Sequence, residues 1–120
     1  MKLITQNLIK RFNEVGDQSD ANNPLIIAKF FDPVGSATWY ATQYDLQRNN
    51  CFGYVTGLFN DEWGAFSIDE LESLKRPFGL SIERDIHFSE IHFNELMKKP
   101  RLLELEKSQA SKEKTEELAR

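Results

Sequence analysis

The sequence predicts an α+β domain: an antiparallel sheet of about four strands, joined by hairpins, with two to three helices packed mainly on one face. Three observations predict it. Apolar residues recur at spacings of three and four in some segments, polar and apolar residues alternate in others, and turn-forming residues separate the segments. The 120 residues, 40% hydrophobic and 12% aromatic, suffice for one core. We therefore expect a single domain over residues 1–100.

The first predicted element is a helix over residues 6–14. Thr5 has the side chain of an N-cap residue, and Gly16 is a residue type that commonly ends helices. Apolar residues at spacings of four, four and three form one stripe on this helix: Ile4, Leu8, Phe12 and Val15. Residues 16–23 contain no large apolar side chain, so they predict an exposed loop.

Three strands are predicted next. Residues 25–31 are β-branched and aromatic, which favours a buried strand, and the turn residues that follow it start a hairpin. Alternation over residues 37–46 predicts a second strand with two different faces, and residues 51–58 predict the third. Gly53 and Gly57 in this third strand predict either a bulge or a close approach by another element.

The second half of the chain predicts two more helices and one more strand. A Ser-x-x-Glu capping box at residues 67–70 predicts a helix over residues 68–75. Alternation over residues 80–88 predicts a strand that carries Arg84 on its apolar side, and a last helix is predicted over residues 90–98.

Residues 101–120 form a charged C-terminal tail in the sequence. They contain five basic and five acidic residues, no glycine, and leucines that do not repeat at helical spacing. This composition predicts a frayed helix or a disordered segment, with a helix that orders on a partner as the alternative.

Composition excludes several classes of protein. The net charge of −4, from 15 Lys and Arg against 19 Asp and Glu, argues against direct nucleic-acid binding through overall positive charge. No apolar run approaches the ~20 residues of a membrane span, and the N-terminus lacks a signal peptide's apolar region. The single Cys51 excludes an internal disulfide, so we expect a cytoplasmic protein. No motif signals a cofactor, and none is expected.

An acidic and aromatic surface is the first candidate site. Five acidic residues and no Lys or Arg lie between Asp61 and Glu72. Helix capping accounts for Asp69 and Glu70, whereas the acids beside Trp63 have no such explanation. Such a surface suits a basic partner. The predicted binding residues are Asp61, Glu62, Trp63, Glu70, Trp39, Tyr40 and Arg84, and no residue is assigned to catalysis or metal binding.

The second candidate site lies in the predicted strand over residues 80–88. Glu83, Asp85 and His87 alternate there, which places three potential metal ligands or acid/base groups along one row. An outward polar face of a half-buried strand gives the same pattern. Arg84 requires carboxylates or carbonyls around it if buried, so it either holds a loop or a helix end or binds an external anion.

Five segments of the chain resemble, in order and spacing, the bacterial family catalogued as domain of unknown function 2958. The segments are AKFFDP (28–33), TWYAT (38–42), CFGYVTG (51–57), GAFSIDEL (64–71) and GLSIERDIHF (79–88). The resemblance runs from about Leu3 to Met97. It implies no assigned activity, but it does imply cargo of plasmids, phages and conjugative elements, sometimes joined to DNA-processing or antirestriction-like proteins.

The chain departs from the family's pattern at two places. The family's strand continues Trp-Tyr-x-x-Glu where this chain has Gln43, and its loop reads Glu-Leu-Gly-Tyr-Phe where this chain has EWGAF at residues 62–66. The missing carboxylate at Gln43 weakens a carboxylate-based metal or acid/base site there. Several charged residues still match the pattern: Glu62, Glu70, Glu83, Arg84 and Asp85.

Two functions from different classes follow from these observations. The first is a non-enzymatic interaction module of a plasmid, phage or conjugative element that binds a host or element-encoded nucleic-acid-processing protein. An inhibitor of a defence nuclease, of the anti-CRISPR or antirestriction type, is one form of this hypothesis. The alternative is a metal-dependent or anion-handling enzyme that uses residues 83–87. An accessory DNA-processing factor is a separate, second alternative. The sequence leaves the oligomeric state open.

Overall fold

Seven strands and two α-helices form an α+β fold in the computed structural model, which describes residues 1–99. The tail predicted over residues 101–120 lies outside these residues. The helices are α1 (Gln6–Val15) and α2 (Ile68–Ser73), with a 3-10 turn at Pro77–Gly79 and further helical residues at 93–99. The strands are β1 (Leu25–Ile26), β2 (Ala28–Phe31), β3 (Thr38–Asp45), β4 (Asn50–Thr56), β5 (Glu62–Ser67), β6 (Glu83–Arg84) and β7 (Ile91–His92).

The main sheet has five antiparallel strands in the order β5-β4-β3-β2-β6, and β1 pairs with β7 in a separate two-stranded sheet. The prediction of about four strands was therefore too low. The segment predicted as one strand over residues 25–31 divides at Ile27, whose N–H donates to the carbonyl of Ala41 over 2.9 Å. β1 pairs with β7, whereas β2 pairs with β3 and β6 in the main sheet.

The predicted strand over residues 80–88 is wrong in extent, because only Glu83–Arg84 pairs with β2. Asp85 ends the strand. Its side-chain oxygen Oδ1 accepts the N–H of His87 over 2.9 Å, and its carbonyl accepts the N–H of Phe88 over 3.2 Å. An aspartate that bonds the backbone two residues later makes a turn, and this turn removes His87 from the row that alternation predicts.

The last predicted helix begins later than residue 90. Residues 91 and 92 are β7, and residues 93–99 are helical. The start of the helical residues is tied to the loop before β1, because Phe93 N–H donates to the Pro24 carbonyl and Asn94 N–H donates to Asn23 Oδ1. Tertiary hydrogen bonds to a distant loop thus set the boundary, which local sequence cannot reveal.

The N-caps predicted at Thr5 and Ser67 are present. Thr5 Oγ1 accepts the N–H of Leu8 over 3.2 Å at the start of α1, and Ser67 Oγ accepts the N–H of Glu70 over 3.2 Å at the start of α2. These bonds satisfy N–H groups that a helix leaves free in its first turn. They fix where each helix meets the sheet.

The core lies between α1, α2 and one face of the main sheet, here called the core face. Its buried residues include Leu3, Ile4, Phe12, Ala28, Phe30, Trp39, Ala41, Cys51, Ile68, Leu71 and Ile82. The opposite face of the sheet, the second face, carries Tyr40, Tyr54 and Trp63, which lie opposite each other across β3, β4 and β5. The helical residues 93–99 reach this face through Phe93. Within residues 1–99 no helix is long and apolar enough to cross a membrane.

An ion pair joins the turn after β2 to the segment after α2. Arg76 Nε lies 2.8 Å from Asp32 Oδ2, and Asp32 Oδ1 accepts the N–H of Val34 over 3.0 Å. Burial opposes ionisation of Asp32, but the Val34 N–H and the Arg76 guanidinium outweigh it and hold the pKa of this carboxyl below its usual value. The folded state therefore binds this proton less readily than the unfolded chain does.

In the unfolded chain the pKa of the Asp32 carboxyl is about 4. We expect this carboxylate to make its full contribution to stability at pH values above that pKa. The contribution should be lost as the pH falls through the lower pKa of the folded state. Urea unfolding of the wild type and Asp32→Asn between pH 2 and 7 measures it. The free energy of unfolding of the wild type should fall more steeply below about pH 4 than that of the variant. Parallel curves would contradict the assignment.

Candidate functional site

The hairpin formed by β4 and β5 holds the acidic and aromatic residues that the sequence predicts as a surface. Its tip, residues 57–61, is fixed by two bonds: Gly57 N–H donates to Asp61 Oδ1 over 3.1 Å, and Ser36 Oγ donates to the Gly57 carbonyl over 2.8 Å. Gly57 has a φ of +81°, and a Cβ there would overlap the Ser36 backbone, so only glycine suits the position. The tip is thus held in one place relative to the sheet.

Two large apolar side chains project from this tip into solvent. Phe59 is fully exposed, and 60% of Leu58 is exposed. Burial of such a side chain against a partner is worth about 1.5–3 kcal/mol, which the isolated chain forgoes here. Consecutive exposed apolar residues on a fixed loop are the kind of feature that marks an interaction site.

A groove of about 390 Å³, here called the edge groove, runs along β5 below the tip. It opens on the core face. Trp39, Val55 and Phe66 line it together with Phe59, and Gly64 lies in its wall. A Cβ added to Gly64 would meet no atom within 4 Å, so the absence of a side chain at this position leaves the groove open.

Four aromatic rings form a cluster on the second face, here called the aromatic cluster: Phe52, Tyr54, Trp63 and Phe93. Trp63 stacks on Phe52 at 6.1 Å between ring centroids and contacts Phe93 at 4.8 Å. Tyr54 packs edge-on against Trp63 at 5.3 Å and against Phe93 at 5.0 Å. Trp63 nevertheless keeps 37% of its surface exposed, so one side of the cluster remains open to solvent.

The predicted binding residues do not form one site. Trp39 is buried on the core face and reaches the surface only in the edge groove. Tyr40 lies on the second face, separated from Trp63 by Tyr54. Burial first, and then the charge of Asp85, raise the pKa of Tyr40. The predicted aromatic residues thus lie on both faces of the sheet.

Among the predicted acids, Glu62 is exposed at the start of β5 and Glu70 is exposed in α2. The backbone N–H of Glu70 donates to the Ser67 side chain in the N-cap. Within residues 1–99, the Glu70 carboxylate forms no hydrogen bond or ion pair. Asp61 combines exposure with its bond to Gly57. Asp61 ends the tip and Glu62 follows it directly, whereas Glu70 lies beyond the far end of β5.

Arg84 is held by the chain's own N-terminal segment. Its Nη1 donates to the carbonyls of Lys2 and Leu3 over 2.9 and 3.0 Å. Leu3 N–H in turn donates to Glu72 Oε1 over 3.2 Å. The guanidinium thus connects β6 to the segment before α1, which is the arrangement expected of an arginine that holds a loop.

The row of Glu83, Asp85 and His87 is not assembled as alternation predicts. Asp85 Oδ2 lies 3.5 Å from Lys29 Nζ, and its other oxygen closes the turn to His87. Within residues 1–99 no three His, Cys, Asp or Glu side chains lie close enough together to hold a metal ion. Cys51 lies elsewhere, in the core, where burial raises the pKa of its thiol to about 12.

Gln43 connects the sheet to the loop before β1. Its Oε1 accepts the N–H of Gln18 over 3.1 Å, and the Gln18 side chain bonds the backbone of Leu25 and Thr42. A glutamate carboxylate can accept the same N–H bond, so this contact is compatible with either side chain. A second groove, of about 310 Å³, lies between this loop and the aromatic cluster.

The predicted site omits Leu58, Phe59 and Phe93. A signal for the first two is present in the sequence, because two large apolar residues stand between Gly57 and the turn residues Asn60 and Asp61. Loops seldom bury such residues, so their position in a turn predicts exposure. Phe93 gives no comparable signal, since only tertiary folding brings it to β5.

A family model described as "Protein of unknown function (DUF2958)" matches residues 3–96. The chain belongs to this family. The part matched to DUF2958 includes the β4–β5 hairpin, its tip and the seven strands. No curated protein and no solved structure matches the chain.

Proposed function

We propose that this DUF2958 chain is a non-enzymatic interaction module that binds another protein through the tip of the β4–β5 hairpin. The observation that carries the proposal is the full exposure of Phe59 beside Leu58 on a tip held by hydrogen bonds. A rigid tip loses little conformational entropy on binding, so most of the apolar burial is available as affinity.

The charge around the tip supports a basic partner. Asp61 ends the tip and Glu62 follows it, and residues 49–74 contain no Lys or Arg that could offset their charge. The other acids of this stretch, Asp69, Glu70 and Glu72, lie in α2 beyond the far end of β5. Such a charge attracts a basic protein surface, speeds encounter and weakens as salt screens it. The contact would therefore combine two apolar anchors with an acidic rim.

The finer proposal concerns the setting of this contact. The resemblance described above implies cargo of bacterial plasmids, phages or conjugative elements, which supports a setting in the cytoplasm. A basic partner there would be a nucleic-acid-processing protein, such as a defence nuclease. The basic surfaces of such proteins bind phosphates, so an acidic module that occupies one would compete with nucleic acid.

The test is affinity capture from a bacterial lysate with the full chain, followed by titration with the purified partner. Leu58→Ser combined with Phe59→Ser should weaken binding on the order of a hundredfold, because two apolar anchors are lost. High salt should weaken it further. The matched control is Leu46→Ser with Phe78→Ser, which removes two equally exposed apolar side chains elsewhere.

The control variant should bind like the wild type. Two results would overturn the proposal: no partner retained by the wild type at low salt, or a partner held equally well by the tip variant and the control. A nuclease assay with the purified partner then tests the finer proposal. Inhibition should disappear in the tip variant.

A further inference from the structure

β5 is an outer strand of the main sheet, and one of its edges is open. β4 pairs with it on one side along all six residues. Among residues 1–99, no strand pairs with it on the other side. An open edge presents backbone N–H and C=O groups that a further strand can bond.

The register shows which groups point outward. Ile68 N–H donates to the Asn49 carbonyl over 2.9 Å, one residue beyond the paired residues Asn50 and Ser67. Bonded and non-bonded pairs alternate in an antiparallel ladder, so Glu62, Gly64 and Phe66 bond β4. The N–H and C=O groups of Trp63 and Ala65 therefore point away from the sheet.

This edge lacks most of the features that usually protect one. Protected edges carry lysine, proline, a bulge or an inward-pointing charge. β5 contains no lysine or proline and its pairing with β4 is continuous. Its one charged residue, Glu62, lies on the core face at the very start of the strand and is exposed. The opposite edge of the sheet is β6, whose two residues offer little backbone.

Side-chain space exists on both faces of this edge. Successive side chains of an added strand point to opposite faces. On the core face they would lie over the edge groove, beside Phe66 and the gap at Gly64. On the second face they would lie beside the exposed part of Trp63. A strand added here would thus bury apolar surface as well as form hydrogen bonds.

We infer that the partner contributes an extended basic segment, which adds to β5 as a sixth strand of the main sheet. This inference rests on the proposed function and names the form of the partner's contact. Charge distinguishes between the two kinds of strand that could pair with the β5 edge. A second copy paired antiparallel through Trp63 and Ala65 would place Asp61 and Glu62 beside the start of its neighbour's α2, which carries Asp69 and Glu70, whereas a basic segment neutralises these acids.

The test uses the full chain and an eight-residue acetylated peptide of alternating lysine and valine as the probe. NMR titration at low salt should give a dissociation constant below about 1 mM. The amides of Trp63 and Ala65 should exchange rapidly without peptide and slowly with it. The Gly64 amide, already bonded to β4, should be slow in both states. Peptides with glutamate in place of lysine, or with alternate backbone nitrogens methylated, should not bind.

A pair of variants separates backbone pairing from other contacts. Ala65→Pro removes an outward N–H and leaves the bonds to β4 in place, a substitution that edge strands tolerate. It should weaken peptide binding by about tenfold or more, since one hydrogen bond is lost and the added strand is misplaced. Ala65→Val keeps the N–H and should bind within about twofold of the wild type.

Three results would overturn strand addition: no binding of the lysine peptide, equal binding by Ala65→Pro, or amide protection that rises with protein concentration alone, which indicates a second copy. If Ala65→Pro does not fold, the methylated peptide provides the test, and its binding to the wild type would overturn strand addition. The two proposals can fail separately. A purified partner that the tip variant loses but Ala65→Pro holds normally supports the proposed function and overturns strand addition.

Discussion

Gly53→Ala is expected to destabilise the fold by about 3 kcal/mol or more, which is a large part of the total stability of a domain this size. Gly53 lies in the middle of β4, opposite Ala41 of β3. A Cβ there would overlap the carbonyl oxygen of Tyr40 and lie 2.8 Å from its carbonyl carbon. Both obstacles are backbone atoms, so relief requires separation of the two central strands rather than rotation of a side chain.

Gly64→Ala is the matched control for this prediction. Gly64 lies directly opposite Gly53 on β5, but a Cβ there would meet no atom within 4 Å. The two substitutions add the same methyl group to adjacent strands, and alanine suits strands slightly better than glycine does. Gly64→Ala should therefore change stability by less than about 1 kcal/mol.

Urea unfolding followed by circular dichroism measures both variants. The midpoint for Gly53→Ala should fall sharply, or the variant should be unfolded without denaturant, while Gly64→Ala stays near the wild type. Similar midpoints for the two variants would show that β3 and β4 are not as closely packed at Gly53 as the structure has them.

Local sequence was sufficient where the structure depends on neighbouring residues. The caps at Thr5 and Ser67 and the stripe of α1 involve contacts within one helix, and the structure has them where they are predicted. The glycines of β4 were also informative. Gly53 accommodates the close approach that was one of its two alternatives, and β3 has a bulge between Ala41 and Gln43 beside it.

Local sequence was insufficient where a distant partner decides the structure. β5 was not predicted because Gly64 and Ala65 have weak strand preference, and pairing with β4 overrides it. The division between β1 and β2 depends on β7, whose Ile91 pairs with Ile26 of β1 from a distant part of the chain. A turn made by the Asp85 side chain shortens β6. In each case the deciding contact is tertiary or lies in one side chain.

The candidate site was predicted in part for the same reason. Charge and aromatic content drew attention to the segment that contains Asp61, Glu62 and Trp63, and the structure has these three residues on one hairpin. Sequence alternation also placed Trp39 and Tyr40 on opposite faces, but it could not show which face the helices cover. The open edge of β5 requires the strand order of the whole sheet, which no local pattern contains.

Phe30→Ala is expected to cost about 3–5 kcal/mol, whereas Phe31→Ala should cost about 1 kcal/mol. The two phenylalanines are neighbours in β2 and are identical in residue type. The register of β2 places their side chains on opposite faces of the sheet. Phe30 is fully buried on the core face opposite Trp39 and packs edge-on against Phe66 at 6.4 Å, whereas Phe31 lies half-buried on the second face.

The pair of variants therefore tests which face of the sheet carries the main core. Removal of Phe30 leaves a cavity under both helices, because backbone and side chains around it relax only partly. Removal of Phe31 leaves a space that solvent can fill. Thermal unfolding of both variants at one pH measures the difference. Equal losses would mean that the second face is covered at β2 as completely as the core face.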